Sequence, residues 1–207
     1  MSPFDVILFD VGGVLLTNGW DHRERAAAAE QFKLDLPELE ARHATVAPAW
    51  ERGEISLDKY LATAVFYEPR SFSHDEFFDF MLSQSQLLPD GAMPILYELS
   101  VSSGCVGDCM IGALNNEARE TNEFRFGKFD LRQYFEVALS SCYVGLRKPD
   151  APMYRRALDI LGAPPQRVLF IDDREENVAG ALTAGIKAIR FTNEMALWKE
   201  LEDLGVV

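Results

Sequence analysis

The feature that most constrains this chain is a recurring strand-length run of apolar residues that stops at an acid or an amide. Phe4–Asp10 (FDVILFD) is the first, and Gly12-Gly13 follow it closely. Such a run, without polar alternation, belongs to a strand covered on both faces, as in a parallel sheet. The pattern returns at Cys109–Leu114, at Val137–Ser140, at Arg167–Ile171 before Asp172-Asp173, and at Lys187–Phe191. Helices are expected between these runs, over Ala92–Val101, Glu117–Phe126, Pro152–Leu161, Glu175–Ala184 and Glu194–Leu204. Gly162 and Gly185 stand where glycines end helices. Strands and helices in alternation require right-handed crossovers. The expected fold class is therefore α/β, a doubly wound (Rossmann-like) parallel sheet.

One interval is too long for a single crossover helix. Residues 18–88 read as helical throughout, an insertion of about 70 residues after the first strand. Arg23–Leu34 carries Ala26-Ala27-Ala28-Ala29, strong helix formers. Asp35-Leu36-Pro37-Glu38 offers an N-cap, a first-turn proline and a glutamate at the third position. Leu57–Phe66 is amphipathic, and Ser73-His74-Asp75-Glu76 is a capping box opening a helix to about Ser83. The expected division is a core of residues 1–17 and 89–207 and a helical cap of residues 18–88.

Composition narrows the partners. The formal net charge of -13 and the lack of a basic stretch argue against nucleic acid and against anionic membrane surfaces. No run reaches the ~18–20 apolar residues that span a bilayer. Val6–Leu16 is broken by Asp10 and a glycine pair and lacks a basic segment before it, so it does not read as a secretory signal. Three cysteines form no disulfide framework, which fits reduced thiols and a cytoplasmic location. Cys105 and Cys109 lack further metal ligands nearby and read as buried or loop thiols.

In open parallel sheets, ligands bind beyond the carboxyl ends of the strands, where helix N-termini also point. Asp10, Asn115-Asn116 and Asp172-Asp173 fall at those ends, and Lys148 lies in the loop after the third strand. A single Asp there is usually a cap or a turn residue. Several acids, an amide and a lysine on one rim, in order, call for a common chemistry. A carboxylate can attack phosphorus or carbon covalently. Three clustered carboxylates need a divalent cation, and hard oxygen ligands suit Mg²⁺. Lys148 can shield the nucleophile from an anionic substrate and bind a phosphate oxygen. Asn115, Asn116 and the backbone N–H groups beside them offer neutral donors, and Gly13 lets the chain turn tightly.

Phe9-Asp10-Val11-Gly12-Gly13-Val14-Leu15, Gly112-Ala113-Leu114-Asn115-Asn116, Gly145-Leu146-Arg147-Lys148-Pro149 and Phe170-Ile171-Asp172-Asp173-Arg174-Glu175-Glu176-Asn177 resemble, in order, the four motifs of the haloacid dehalogenase-like hydrolase superfamily. The insertion resembles its type 1 helical cap, nearest to the branch of small sugar-phosphate phosphatases. The resemblance implies Asp10 as nucleophile and metal ligand, with the Gly12 carbonyl, Asp172 and Asp173 completing a Mg²⁺ site. It implies that Asn177 supports that site. Lys148 would hold Asp10 and the phosphoryl group of a small phosphorylated substrate, with Gly13, Asn115 and Asn116 also binding it.

Two positions depart from the family pattern. Gly12 stands where phosphatases of the family usually carry a second Asp, the acid–base residue, whose loss removes about 10²–10⁴-fold of rate. Asn115 stands where Ser or Thr is usual. Three readings follow: a phosphatase suited to good leaving groups, a phospholigand-binding protein without turnover, or a haloacid dehalogenase. The last is disfavoured because Asp172-Asp173 argue for metal. A monomer and a homodimer fit the sequence equally.

Of the remaining polar residues, His22, His43 and His74 are expected on helix surfaces or at caps. Arg23 and Arg25 are candidates for reaching a substrate anion. Trp20, Trp50, Phe66 and Tyr67 read first as bundle core. Arg125, within Phe124-Arg125-Phe126, is expected to be solvated.

Overall fold

The computed structural model describes residues 3–101 and 109–207 of the 207-residue chain. Five strands run parallel in the order β3-β2-β1-β4-β5, with β1 (Val6–Phe9) at the centre. Its neighbours are β2 (Met110–Asn115) and β4 (Val168–Asp172), and the outer strands are β3 (Val137–Ser140) and β5 (Lys187–Arg190). Phe9 pairs with Ala113 on one side and Ile171 on the other. Asp10 then follows directly, its N–H donating to the Ile171 carbonyl at 2.8 Å. That register brings Asp10 level with the end of β4, where the two consecutive aspartates stand. The expected second strand, Cys109–Leu114, lies one residue further along, and Cys105 falls outside the described residues.

The strands read as uninterrupted apolar runs because both faces are covered. Ile7, Phe9, Ile111 and Ile171 pack with Ile95 and Leu99 of α5 (Met93–Val101) and Leu197 and Leu201 of α10 (Glu194–Asp203). Val6, Leu8, Val168 and Phe170 pack with Met153 and Tyr154 of α8 (Ala151–Leu161) and Ala181 of α9 (Glu175–Thr183). α6 (Arg119–Lys128) connects β2 towards β3, and a single turn, α7 (Ser141–Val144), follows β3. Among the described residues no helix is long and apolar enough to cross a membrane.

Between β1 and α5 lie four helices: α1 (His22–Phe32), α2 (Leu36–Glu51), α3 (Leu57–Ala64) and α4 (His74–Ser83). Their starts follow the local sequence. Asp21 and Glu24 form a capping box for α1, Ser73 and Glu76 do the same for α4, and Asp35 accepts from the Glu38 N–H at 2.8 Å. These helices share an apolar cluster containing Ala28, Leu39, Trp50, Tyr60, Leu61 and Phe77. Trp50 stacks on Tyr60 with ring centroids 4.1 Å apart, and Trp20 meets Phe77 edge-on.

The two chains of backbone that join this insertion to the sheet are tied to each other. Thr17 N donates to the Gln86 carbonyl at 2.9 Å, and Thr17 Oγ1 donates to the Gln84 carbonyl at 2.8 Å. Both are also held by α6. The Arg125 guanidinium donates to the carbonyls of Thr17 and Asn18, and Lys128 Nζ donates to the Ser85 carbonyl at 2.9 Å. Arg125 is thus no solvated arginine. It is 2% exposed and paired with Glu117, because its length lets it cross from a core helix to the linker behind the central strand.

Candidate active site

At the carboxyl end of the sheet, four predicted residues meet in one cluster. Asp10 continues β1, Asp172 ends β4, Asp173 follows it, and Lys148 arrives on the loop before α8. The carboxylates of Asp10, Asp172 and Asp173 each bring an oxygen within 4.8 Å of the others. Lys148, buried, sets its Nζ 3.0 Å from Asp10 Oδ1 and 2.6 Å from Asp172 Oδ2.

The two consecutive aspartates at the end of β4 and just after it are held very differently. Asp172 is saturated: Oδ1 accepts from the Arg174 N–H at 2.9 Å, and Asn177 Nδ2 lies 3.0 Å from both oxygens. Asn177 reaches it from the first turn of α9. Asp173 Oδ1, by contrast, is buried without any hydrogen-bond partner among the described residues. An orphaned carboxylate oxygen beside two further carboxylates is a donor set suited to a hard divalent cation. Asp10 is held through Oδ1, which also accepts from the Val11 N–H at 2.7 Å. No described residue donates to its other oxygen.

Electrostatics follow from burial. Burial pushes the Asp10 carboxyl up to about 8, with Lys148 opposing and Asp172 adding to the rise. Burial, then Asp172, also raises Asp173. Burial alone would lower the Lys148 ammonium, but Asp10 and Asp172 outweigh it and hold the group charged. Three carboxylates and one ammonium leave the cluster short of positive charge. A bound cation would supply it.

The amides at the end of β2 have protein partners. Asn115 Nδ2 donates to Asn122 Oδ1 at 3.0 Å, and Ser140 Oγ lies 2.8 Å from Asn115 Oδ1. Register explains this, since Asn115 is paired with Ser140 across β2 and β3. Asn115 does not line the cavity above the cluster, and neither does Gly13. Asn116 does, and it clasps the backbone of Lys148 reciprocally, donating to its carbonyl at 2.8 Å and accepting from its N–H at 2.9 Å. It thereby fixes the loop that delivers the lysine.

The cavity measures about 460 Å³ and extends from Asp10 and Lys148 to the insertion, where Trp20, His43, Ala47 and Trp50 line it. Of the arginines singled out in the sequence, Arg25 reaches it and Arg23 stays exposed. Sequence reading missed Glu51, Glu117, Arg125, Arg147 and Arg174, all on its walls. Their neighbourhood to the motif residues was a usable signal for Arg147 and Arg174. Nothing local marked Glu51 or Arg125. Beside Gly12, the space a side chain would fill is bounded by Asn18 Oδ1, 3.2 Å from a Cβ placed there, and by Arg125 Nη1 at 3.7 Å.

Residues 4–185 match the family model for haloacid dehalogenase-like hydrolase. Flavin mononucleotide hydrolase 1 of Arabidopsis thaliana is 33% identical over 168 residues, covering 81% of this chain. The chain in turn spans 65% of that relative, less than two thirds of its length. Sesquiterpene phosphatase astK of Aspergillus oryzae is 24% identical over 207 residues, covering 98% of this chain and 97% of that one. Among solved structures, the magnesium complex of a HAD family enzyme from Bacteroides thetaiotaomicron aligns with a TM-score of 0.78 at 19% identity. That alignment covers 97% of this chain and 99% of the other, and it shows a shared fold.

Proposed function

This chain belongs to the haloacid dehalogenase-like hydrolases, and from that premise we propose that it is a Mg²⁺-dependent phosphatase acting on a small phosphate monoester through Asp10. The observation that carries the reading is the cluster itself: a carboxylate held by Lys148, beside a buried Asp173 oxygen that no group among the described residues satisfies. The phosphatase named in one relative and the flavin mononucleotide hydrolase named in another agree with it.

Asp10, Asp173, the Gly12 carbonyl and Asp172 would hold the metal, Asp172 directly or through water. Bound there, Mg²⁺ supplies positive charge that keeps the carboxylates ionised and offsets charge on the transferred phosphoryl group. The chain's own groups do the rest. Lys148 orients Asp10 through Oδ1 and offers its ammonium to the substrate's phosphate. An oxygen of Asp10 attacks phosphorus, the bond to the ester oxygen breaks, and an aspartyl-phosphate forms. Water then cleaves that acyl phosphate and frees Asp10 and inorganic phosphate. Asn116 assists by fixing the loop that carries Lys148, with Gly13 giving room for the turn.

Gly12 offers no proton to the leaving oxygen. The reading therefore includes a bias toward substrates whose leaving oxygen is already a weak base. Phenyl and acyl phosphates should be turned over well, and simple alkyl phosphates about 10²-fold or more slowly. The same glycine favours a second reading, a phospholigand-binding protein that does not turn over. Incubation with Mg²⁺ and p-nitrophenyl phosphate separates the two. Metal-dependent phosphate release supports the phosphatase, whereas saturable binding of inorganic phosphate without release supports the binder.

A further inference from the structure

Each arginine that reaches the cavity already faces a carboxylate. Arg25 and Glu40 meet in a two-pronged pair, with contacts of 3.0 and 2.8 Å, and the arginine side chain is 8% exposed. Arg147 Nη2 lies 2.8 Å from Glu51 Oε2, Arg174 Nη2 lies 3.0 Å from Asp21 Oδ2, and Arg125 is paired with Glu117. Lys148 is matched by Asp10 and Asp172. Ala44, Ala47 and Pro48 of α2 give a short apolar stretch in a lining that is otherwise mostly polar.

We propose that the cavity selects phosphate monoesters whose body, beyond the phosphoryl group, carries no second anionic group. The inference rests on the phosphatase reading and adds its substrate class. A phosphoryl group meets Lys148 and the metal site, where charge is in demand. A second anion further out meets arginines that are already neutralised and carboxylates that repel it. To gain Arg25 or Arg147 it must displace a carboxylate partner that is only 26% exposed and leave it uncompensated in a partly dry site, whereas the exposed Arg174–Asp21 pair adds little. Two of the pairs, Arg147–Glu51 and Arg174–Asp21, also join the insertion to the sheet end, so displacing them loosens the walls of the site. An uncharged body, aromatic or aliphatic, meets none of these costs and gains contact with the apolar stretch of α2.

The test compares 4-carbamoylphenyl phosphate with 4-carboxyphenyl phosphate, near-isosteres that differ by one negative charge remote from the ester. With the intact chain and Mg²⁺, kcat/KM for the carboxamide is expected to exceed that for the carboxylate by about tenfold or more, chiefly through KM. Glu40→Gln, which leaves Arg25 unmatched, should shrink that ratio to about threefold or less. Glu51→Gln, which releases Arg147, provides an independent variant should the first fold poorly. Equal kcat/KM for the two esters in the wild type would overturn the proposal, as would a ratio unmoved in both variants. If neither ester is hydrolysed, the phosphatase reading fails, and calorimetric binding of the same pair decides the selectivity separately. Tenfold tighter binding of the carboxamide would uphold it, and equal binding or none would refute it.

Discussion

A Cβ placed on Gly13 would lie 2.3 Å from Asp173 Oδ2, so the turn after β1 and the carboxylate after β4 occupy space that only glycine leaves open. Gly13 also has φ +76, a left-handed conformation that costs other residues energy. The glycine thus leaves room for the Asp173 carboxylate, whose Oδ1 has no hydrogen-bond partner among the described residues. Gly13→Ala is expected to push Asp173 out of place and weaken Mg²⁺ binding by about 10–100-fold, the usual effect of disturbing a ligand's support. Calorimetric titration with Mg²⁺ checks this, and an unchanged affinity would show that Asp173 does not hold the metal.

Lys148 is the cation between two buried carboxylates. Replacing it with Met leaves Asp10 and Asp172 facing each other without compensation, and removing one partner of a buried ionic cluster costs about 3–5 kcal/mol. Urea unfolding of Lys148→Met should show that loss. Added Mg²⁺ should recover more stability in the variant than in the wild type, because the metal then supplies the missing charge. A variant as stable as the wild type without metal would contradict the buried pairing.

Arg125 holds Glu117 and the carbonyls of Thr17 and Asn18 with one planar fork. A lysine keeps the charge but cannot present those donors together. Arg125→Lys should therefore cost about 2–4 kcal/mol in denaturant unfolding, close to the loss from breaking a buried pair outright. A change below about 0.5 kcal/mol would mean the linker is secured elsewhere.

His43 supplies a pH dependence. Burial, then the nearby Arg25, lowers its imidazole to about 4, and its Nδ1 lies 2.8 Å from the Tyr60 hydroxyl. In the unfolded chain the same group titrates near its ordinary value of 6.5. Between those values the unfolded state binds the extra proton, so stability is full above the upper value and falls as pH drops toward the lower one. His43→Asn, which retains a polar group near Tyr60, should flatten that decline by up to about 3 kcal/mol. Unfolding midpoints measured from pH 7 to pH 4 test it, and parallel curves for variant and wild type would refute it.

The sheet and the acid–lysine cluster were legible because their causes are local. A strand buried on both faces has to be an unbroken apolar run, and residues ending adjacent parallel strands have to share a rim. Phe9 opposite Ala113 and Ile171 is that logic realised in register. The roles of Asn115 and Arg125 were not legible, because they depend on distant partners. Asn115 is engaged inward only because Ser140 lies across from it and Asn122 sits a few residues on in α6. Arg125 stands between two phenylalanines and reads as a surface residue until α6 is placed against the linker at Thr17 and Asn18. The Arg147–Glu51 pair likewise exists only once α2 lies over the sheet end.

The central claim is that Asp10 is phosphorylated during a metal-dependent hydrolysis, and the most direct test follows intact mass and phosphate release together. The chain is incubated with p-nitrophenyl phosphate, with and without Mg²⁺, beside Asp10→Asn. The account predicts phosphate release that requires both Mg²⁺ and Asp10, with a transient adduct of one phosphoryl group absent from the variant. Release that persists in Asp10→Asn, or an adduct that forms there equally, would contradict it.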